Sequence, residues 1–343
     1  EYLFYNQVFK ITINDFSLMR ILYFHQYFNT PLTGGGIRSH EFAQALIKRG
    51  HQVTMICGGA DEKFNLPKVS RYINRGFVDG VEVIQIRVIT SNMDKISKRT
   101  IDFIKFSFLS IKFAFIEEYD LLFATSTPLS AGIPGIFAKW FSKKNFKFVF
   151  EVRDLWPELP KALGLKNPIL LWSMNILEKI SYKKSDACIG LSPGICEGIK
   201  RKTPNGHLIE MIPNGCDLSL FKRDTKDRYE IEGVEPGDIV AIYPGVHGVA
   251  NGLDSVSDMA KVLIERNILN VKILFVGKGK QKSHLVRRVN KEKINNCIFL
   301  ETVSKYELNR IMNRADIGLM VLKNIPAFYY GTSPNKFFDY ISA

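Results

Sequence analysis

The chain has 343 residues, 46% of them hydrophobic and 24% charged. That composition supplies the core of two ordinary domains and excludes a disordered or fibrous chain. Lysine and arginine number 47 against 34 acids, a formal net charge of +13, so an anionic partner is expected: nucleic acid, an anionic membrane surface or phosphorylated substrates.

Short apolar runs alternate with helical patterns along the chain, the mark of parallel α/β sheets. Strands are expected at 20–28, 52–57, 81–88, 120–124, 146–152, 187–191 and 207–212, and helices at 37–48, 101–116, 131–141, 170–181 and 195–201. The stretch 222–238 is charged and turn-rich and reads as a linker or domain edge. A second alternating series follows, with strands at 239–243, 271–276, 298–301 and 317–322 and helices at 253–264, 282–289 and 305–313. Two α/β domains in tandem leave a cleft, and strand carboxyl ends are the default ligand sites. No apolar run reaches the roughly 18 residues a spanning helix needs. Residues 1–18 lack the apolar core and cleavage site of a signal peptide. They read as an upstream extension before a natural start at Met19. The chain is expected to be truncated at its other end, because 337–343 has helical character and no stop signal. Cys57, Cys188, Cys196, Cys216 and Cys297 are odd in number and lack a C-x-x-C pair. They argue against a disulfide framework or zinc site and fit a reduced cytosolic compartment.

The segment Gly331-Thr332-Ser333-Pro334-Asn335-Lys336-Phe337-Phe338-Asp339 reads as a helix start built for an anion. Ser333 suits the N-cap and Pro334 the first helical position. The N–H groups of Asn335 and Lys336 then point out of the helix with the positive pole of the dipole. Lys336 adds positive charge to a positive end, a conflict that a bound phosphate relieves. Asp339, three residues on, shares its face and is placed for ribose hydroxyls. The plainer reading is a capped helix with solvated charges.

Three glycines, Gly34, Gly35 and Gly36, with Arg38 behind them, join the first strand to the first helix. They suit phosphate contact, though the spacing is neither G-x-G-x-x-G nor a P-loop, which disfavours a nicotinamide enzyme. Glu151-Val152-Arg153-Asp154-Leu155-Trp156-Pro157-Glu158 ends a strand with charges natural to a cleft, or else forms an ion-pair network at a domain edge. Ile212-Pro213-Asn214-Gly215 reads as a junction turn. The exits at Gly245 and Gly277 follow strands of the second series, and the latter could pass under a base. No D-x-D or H-E-x-x-H motif is present, so no divalent metal is implied. The Phe- and Lys-rich 101–113, with Trp140-Phe141-Ser142-Lys143-Lys144, suits an anionic membrane surface or an ordinary core helix with snorkelling lysines. No nucleic-acid recognition motif occurs.

Taken in this order, these markers, with Gly50-His51-Gln52-Val53-Thr54, resemble the GT-B-fold glycosyltransferases of family 4 from residue 19 to 343, specifically the bacterial surface-polysaccharide branch of O-antigen, capsule and colanic-acid type, fucosamine transferases included. The resemblance implies an α/β fold of two Rossmann-like domains with parallel sheets facing across a cleft. The acceptor-side domain would span 19–220 and an incomplete nucleotide-sugar domain 221–343. It implies a retaining transferase that takes a nucleotide-diphosphate sugar, of UDP-N-acetylhexosamine type, without cofactor or metal. Its acceptor would be a polyprenyl-diphosphate-linked glycan at the inner face of the cell membrane, and nucleic acid is not an expected partner. Gly35, Gly36 and Arg38 would meet the donor phosphates, as would Ser333, Asn335 and Lys336, and Gly245 would also line the donor site. Gly277 and Val303 would lie near the base and Asp339 at the ribose. The family His-Asp pair lands on Arg153-Asp154: Asp154 would position or deprotonate the acceptor hydroxyl, and Arg153 would steady charge. Two departures stand out. The first of two family glutamates falls on Gly331, and positions where many relatives carry Arg and Lys hold Val246 and Asn251, which leaves Lys336 as the main charge on the leaving group. A non-hydrolysing nucleotide-sugar epimerase of the same fold and an inactive glycan- or membrane-binding relative are the alternatives.

Overall fold

A computed structural model describes residues 18–91, 93–224, 229–329 and 331–343. The expected extension lies almost wholly outside them. The chain forms two compact units. One holds the described residues up to Phe28, then Arg38–Pro213 and Tyr329–Ser333; the other holds Asn29–Ile37, the described residues from Asn214 to Phe328, and Pro334–Ala343.

The first unit is built on β1 (Arg20–Phe24), α1 (Arg38–Ile47), β2 (Gln52–Gly58), β3 (Lys68–Ser70), β4 (Ile73–Val78), β5 (Val81–Ile86), α2 (Ile96–Ile116) and β6 (Leu121–Thr125). It continues with α3 (Ile133–Phe141), β7 (Lys147–Val152), α4 (Glu158–Ala162), α5 (Pro168–Lys184), β8 (Ala187–Gly190), α6 (Pro193–Lys200) and β9 (Leu208–Met211). Its nine strands run in the order β3-β4-β5-β2-β1-β6-β7-β8-β9. The central strands are buried, LLFAT throughout and VEVIQI at all but Glu82, because helices cover both faces of a parallel sheet. Leu22, Phe24, Ile84, Phe106, Phe148, Phe150 and Tyr182 fill one side. Met19, Tyr23, Met55, Val83, Phe123 and Val149 fill the other.

The sheet is not wholly parallel as expected: β3 and β4 form an antiparallel edge against β5. Asp79 at φ +50° and Gly80 at φ +79° make the two-residue turn between β4 and β5. Asp-Gly is a strong hairpin signal and marks an element that the periodicity reading passed over.

The second unit comprises β10 (Ile239–Pro244), α7 (Asp254–Glu265), β11 (Val271–Val276), α8 (Lys282–Lys291), β12 (Cys297–Leu300), α9 (Lys305–Met312), β13 (Ile317–Gly318) and α10 (Asn335–Ser342). Its parallel sheet has the order β12-β11-β10-β13. The last strand is shorter than the expected 317–322. The Tyr340 hydroxyl donates to the carbonyls of Leu319, 2.8 Å, and Ile242, 3.2 Å, so a side chain takes up bonding that a longer strand would make. The stretch 222–238 is also more than a linker. Ile231 is buried beside Leu220 and Phe221, and the Lys222 and Asp224 N–H groups donate to Asn309 and Asn313 of α9.

Candidate active site

In the second unit, expected donor residues gather at the carboxyl end of β10. Lys336 rises from the first turn of α10 and places Nζ 3.8 Å from the centre of the Tyr243 ring. A side chain at Gly245 would lie 3.6 Å from that ammonium. Among the described residues no carboxylate or carbonyl bonds it. Burial pushes its pKa down to about 8, because charge is costly where water is scarce and no anion compensates. Gly277 closes the floor: at φ +136°, any side chain there would collide with the Gly245 carbonyl, so the two strand exits pack backbone to backbone. Lys282 fixes this floor by donating to the Gly277 carbonyl, 3.0 Å, the Leu300 carbonyl, 2.9 Å, and Glu301, 2.7 Å.

The glycine loop belongs to this same unit. A side chain on Gly34 would sit 3.1 Å from the Val303 carbonyl, so Val303 and the loop of Gly35 and Gly36 are neighbours. Gly35 is exposed at φ +86° and Gly36 is half-buried. Asp339 is buried, and its Oδ2 accepts from Lys305 Nζ at 2.7 Å. Burial raises its carboxyl pKa while Lys305 works against that rise. Lys305 opens α9 behind a capping box of Ser304 and Glu307. It is a first-turn cation of the same anomalous kind as Lys336, and that signal would have found it.

The helix start needs correction. Pro334 is the N-cap, at φ −76° and ψ 125°, and no side chain caps α10. The Phe337 N–H bonds the Pro334 carbonyl at 3.2 Å, which leaves proline outside the helix and makes Asn335 and Lys336 its first residues. Ser333 therefore does not cap, and it groups with the first unit. Gly331 has φ +93°. A glutamate there would be strained, which accounts for the departure at this position.

In the first unit the correction is Arg38. Its side chain is 3% exposed and pairs at 2.8 Å with Glu151, itself fully buried. Arg38 also donates to the carbonyls of Ile212, 2.8 Å, and Pro213, 2.6 Å, and Thr125 bonds the second Glu151 oxygen at 3.0 Å. A guanidinium so engaged anchors the end of the unit and does not present itself to a donor phosphate. Glu151 thus belongs to an ion-pair network.

Beyond Glu151 the motif opens. Arg153 and Asp154 are half-buried at the carboxyl end of β7. Burial raises the Asp154 carboxyl and Arg153 opposes it, a setting that makes the carboxylate a better proton acceptor. A clamp that sequence reasoning missed holds the next residues. Glu178 accepts the Trp156 N–H at 3.1 Å and the Tyr182 hydroxyl at 2.6 Å. Lys202 bonds Glu178, and Glu158 at 2.8 Å. The Trp156–Pro157 peptide is cis. Val246 is exposed and Asn251 donates to its carbonyl at 2.7 Å. Among the described residues no group of three or more His, Cys, Asp or Glu could hold a metal ion.

The sequence model of Glycosyltransferase Family 4 matches residues 32–220, more than half of the chain, and the chain belongs to that family; it is a glycosyltransferase. No curated protein sequence matches it. Among solved structures it is similar to sucrose-phosphate synthase from Thermosynechococcus elongatus, with TM-score 0.66 and 18% identity over 91% of this chain and 79% of that one. It is also similar to Anabaena HepE, solved with UDP-glucose, at TM-score 0.59 and 16% identity over 89% and 74%. A third is WaaG, a glycosyltransferase involved in lipopolysaccharide biosynthesis, at TM-score 0.59 and 12% identity over 94% and 78%. These likenesses give the fold, which is GT-B.

Proposed function

We propose that this enzyme moves a sugar, with retention, from a nucleotide-diphosphate donor to a lipid-linked glycan in cell-surface polysaccharide synthesis. The observation that carries the donor reading is the half-buried Lys336 ammonium at the start of α10, beside Gly245 and bonded to no carboxylate among the described residues. A diphosphate would supply the missing anion and accept from the first-turn N–H groups. Asn335, Lys336 and Ser333 take the diphosphate, Asp339 the ribose, and Gly277 and Val303 the base, with Gly35 and Gly36 alongside. HepE was solved with UDP-glucose, which supports a UDP-sugar, here of N-acetylhexosamine type. Lys336 carries the charge of the leaving group without a divalent metal. The donor side is the second unit, which takes in the glycine loop, and the acceptor side is the first.

Asp154 positions the acceptor hydroxyl, which attacks from the face that the leaving phosphate vacates and passes its proton to that phosphate. The acceptor is a polyprenyl-diphosphate-linked sugar met at the inner membrane face. In support, α2 exposes Ile101, Ile104 and Phe108 beside Lys105 and Lys112, and α3 exposes Trp140 and Phe141. Apolar side chains interleaved with lysines suit anionic headgroups. No helix among the described residues is long and apolar enough to cross a membrane. The likeness to WaaG supports the surface-polysaccharide role. The test is calorimetric titration of the full chain with UDP, GDP and ADP, followed by a donor screen with detergent-solubilised polyprenyl-diphosphate sugars. Binding of UDP and transfer from a UDP-sugar are expected. Absence of any nucleotide affinity would overturn the donor reading.

A further inference from the structure

His25 follows β1 in the centre of the first sheet, its N–H bonded to the Ile56 carbonyl at 3.0 Å. Only 2% of the residue is exposed. Its Nδ1 meets the Ser39 hydroxyl of α1 at 2.7 Å, which fixes the ring. Its Nε2 is buried and has no hydrogen-bond partner. An unmet buried polar atom of this kind is destabilising, and a ligand would remove that cost.

The two charges that act on the ring are both positive, Lys63 and Arg153. Lys63 sends its ammonium to the Phe28 carbonyl, and the Phe28 N–H in turn bonds the His25 carbonyl at 3.2 Å. The Phe64 ring lies 5.1 Å from that ammonium, and no carboxylate pairs with it. Asp61, two residues earlier, is engaged with Arg87 at 2.9 Å and Lys68 at 3.3 Å. Arg153 is tied down by its backbone, whose N–H bonds Ser126 Oγ at 2.9 Å, and among the described residues no ion pair or hydrogen bond holds its guanidinium. Burial and the nearby charges of Arg153 and Lys63 together keep the His25 ring neutral. With Nδ1 on the Ser39 hydroxyl, Nε2 is the ring atom left to meet a ligand, as a donor in the tautomer that protonates it. Two cations near an unmet ring nitrogen, neither bonded to a carboxylate among the described residues, favour an anion there, with Asp154 offsetting part of the Arg153 charge.

We propose that the carboxyl ends of β1 and β7 form a phosphate-binding site, with His25, Lys63 and Arg153 as its donors, for a phosphate or diphosphate ester carried by the acceptor. The proposal rests on reading the first unit as the acceptor side. Asp154, next to Arg153, then lies one residue from the anchor that orients the acceptor.

The test uses the full chain with UDP in excess, titrated by calorimetry with geranyl diphosphate, glucose 6-phosphate and inorganic pyrophosphate. At least one is expected to bind, and Arg153→Gln to weaken it tenfold or more. The Arg153 guanidinium makes no bond to the fold, so this variant keeps its structure. His25→Gln and Lys63→Met should each weaken the same ligand. Preference for geranyl diphosphate would assign a lipid diphosphate, and preference for glucose 6-phosphate a sugar phosphate. If no phosphate ligand binds, or binding is indifferent to Arg153→Gln and His25→Gln, the site is refuted. If UDP fails to bind while a phosphate ester binds in an Arg153-dependent way, the donor assignment falls and this site stands.

Discussion

Replacing Lys336 with methionine is expected to stabilise the ligand-free protein and to weaken its hold on nucleotide. Methionine keeps much of the stem over Tyr243 and removes the charge. Burial moves the ammonium from 10.5 to about 8, and each tenfold displacement is about 1.4 kcal/mol. The charged form therefore costs the fold about 3 kcal/mol at neutral pH. The Tyr243 ring, 3.8 Å from Nζ, returns about 1–2 kcal/mol of that as a partly desolvated cation–π contact. A net gain of about 1–2 kcal/mol for Lys336→Met follows, read as a higher urea midpoint at pH 7. The sign can be checked independently. Between pH 8 and 10.5 the unfolded chain holds a proton that the folded chain has released, so wild-type stability rises with pH across that window. The variant should not show this rise. Calorimetry with UDP should show affinity at least tenfold weaker in the same variant. Loss of stability at pH 7, or unchanged UDP affinity, would refute the reasoning.

Arg38→Met should destabilise by about 3–5 kcal/mol in urea melts, because Glu151 is left buried and unpaired, while UDP affinity of the folded protein stays as in wild type; a selective loss of UDP binding would restore Arg38 as a phosphate ligand. Gly331→Glu, which writes in the residue common among relatives, should cost about 1–2 kcal/mol from its φ of +93° and give no gain in turnover. His247 is wholly buried between Tyr243, Phe275 and Phe299, and burial pushes it down to about 4. Its contribution is complete above pH 6.5 and is lost as pH falls toward 4, by at most about 3 kcal/mol. His247→Phe should flatten that slope in melts recorded from pH 7 to 4.

The alternating strands and helices were legible because each buried sheet demands a local apolar run and each helix a periodic face. The Asp79-Gly80 hairpin was legible too, in its turn residues rather than its hydrophobicity. Lys336 stood out as a charge against a helix dipole, and Lys305 carries the same mark. Arg38 misled because a cation behind a glycine loop looks like a phosphate ligand. Its buried partner, Glu151, is remote in sequence, and nothing local announces the pair.

From its sequence alone the chain declares two α/β series, an anion-seeking helix start and a family. Those are properties of short windows, where propensity, periodicity and motif order act over a few residues. Which charges are already neutralised was decided only by the tertiary structure. Glu151 claims Arg38 and Lys305 claims Asp339, whereas among the described residues Lys336, Arg153 and Lys63 have no carboxylate bonded to them. The physical reason is that a side chain's charge is set by what lies within a few ångströms in space, and packing brings those groups together from distant parts of the chain.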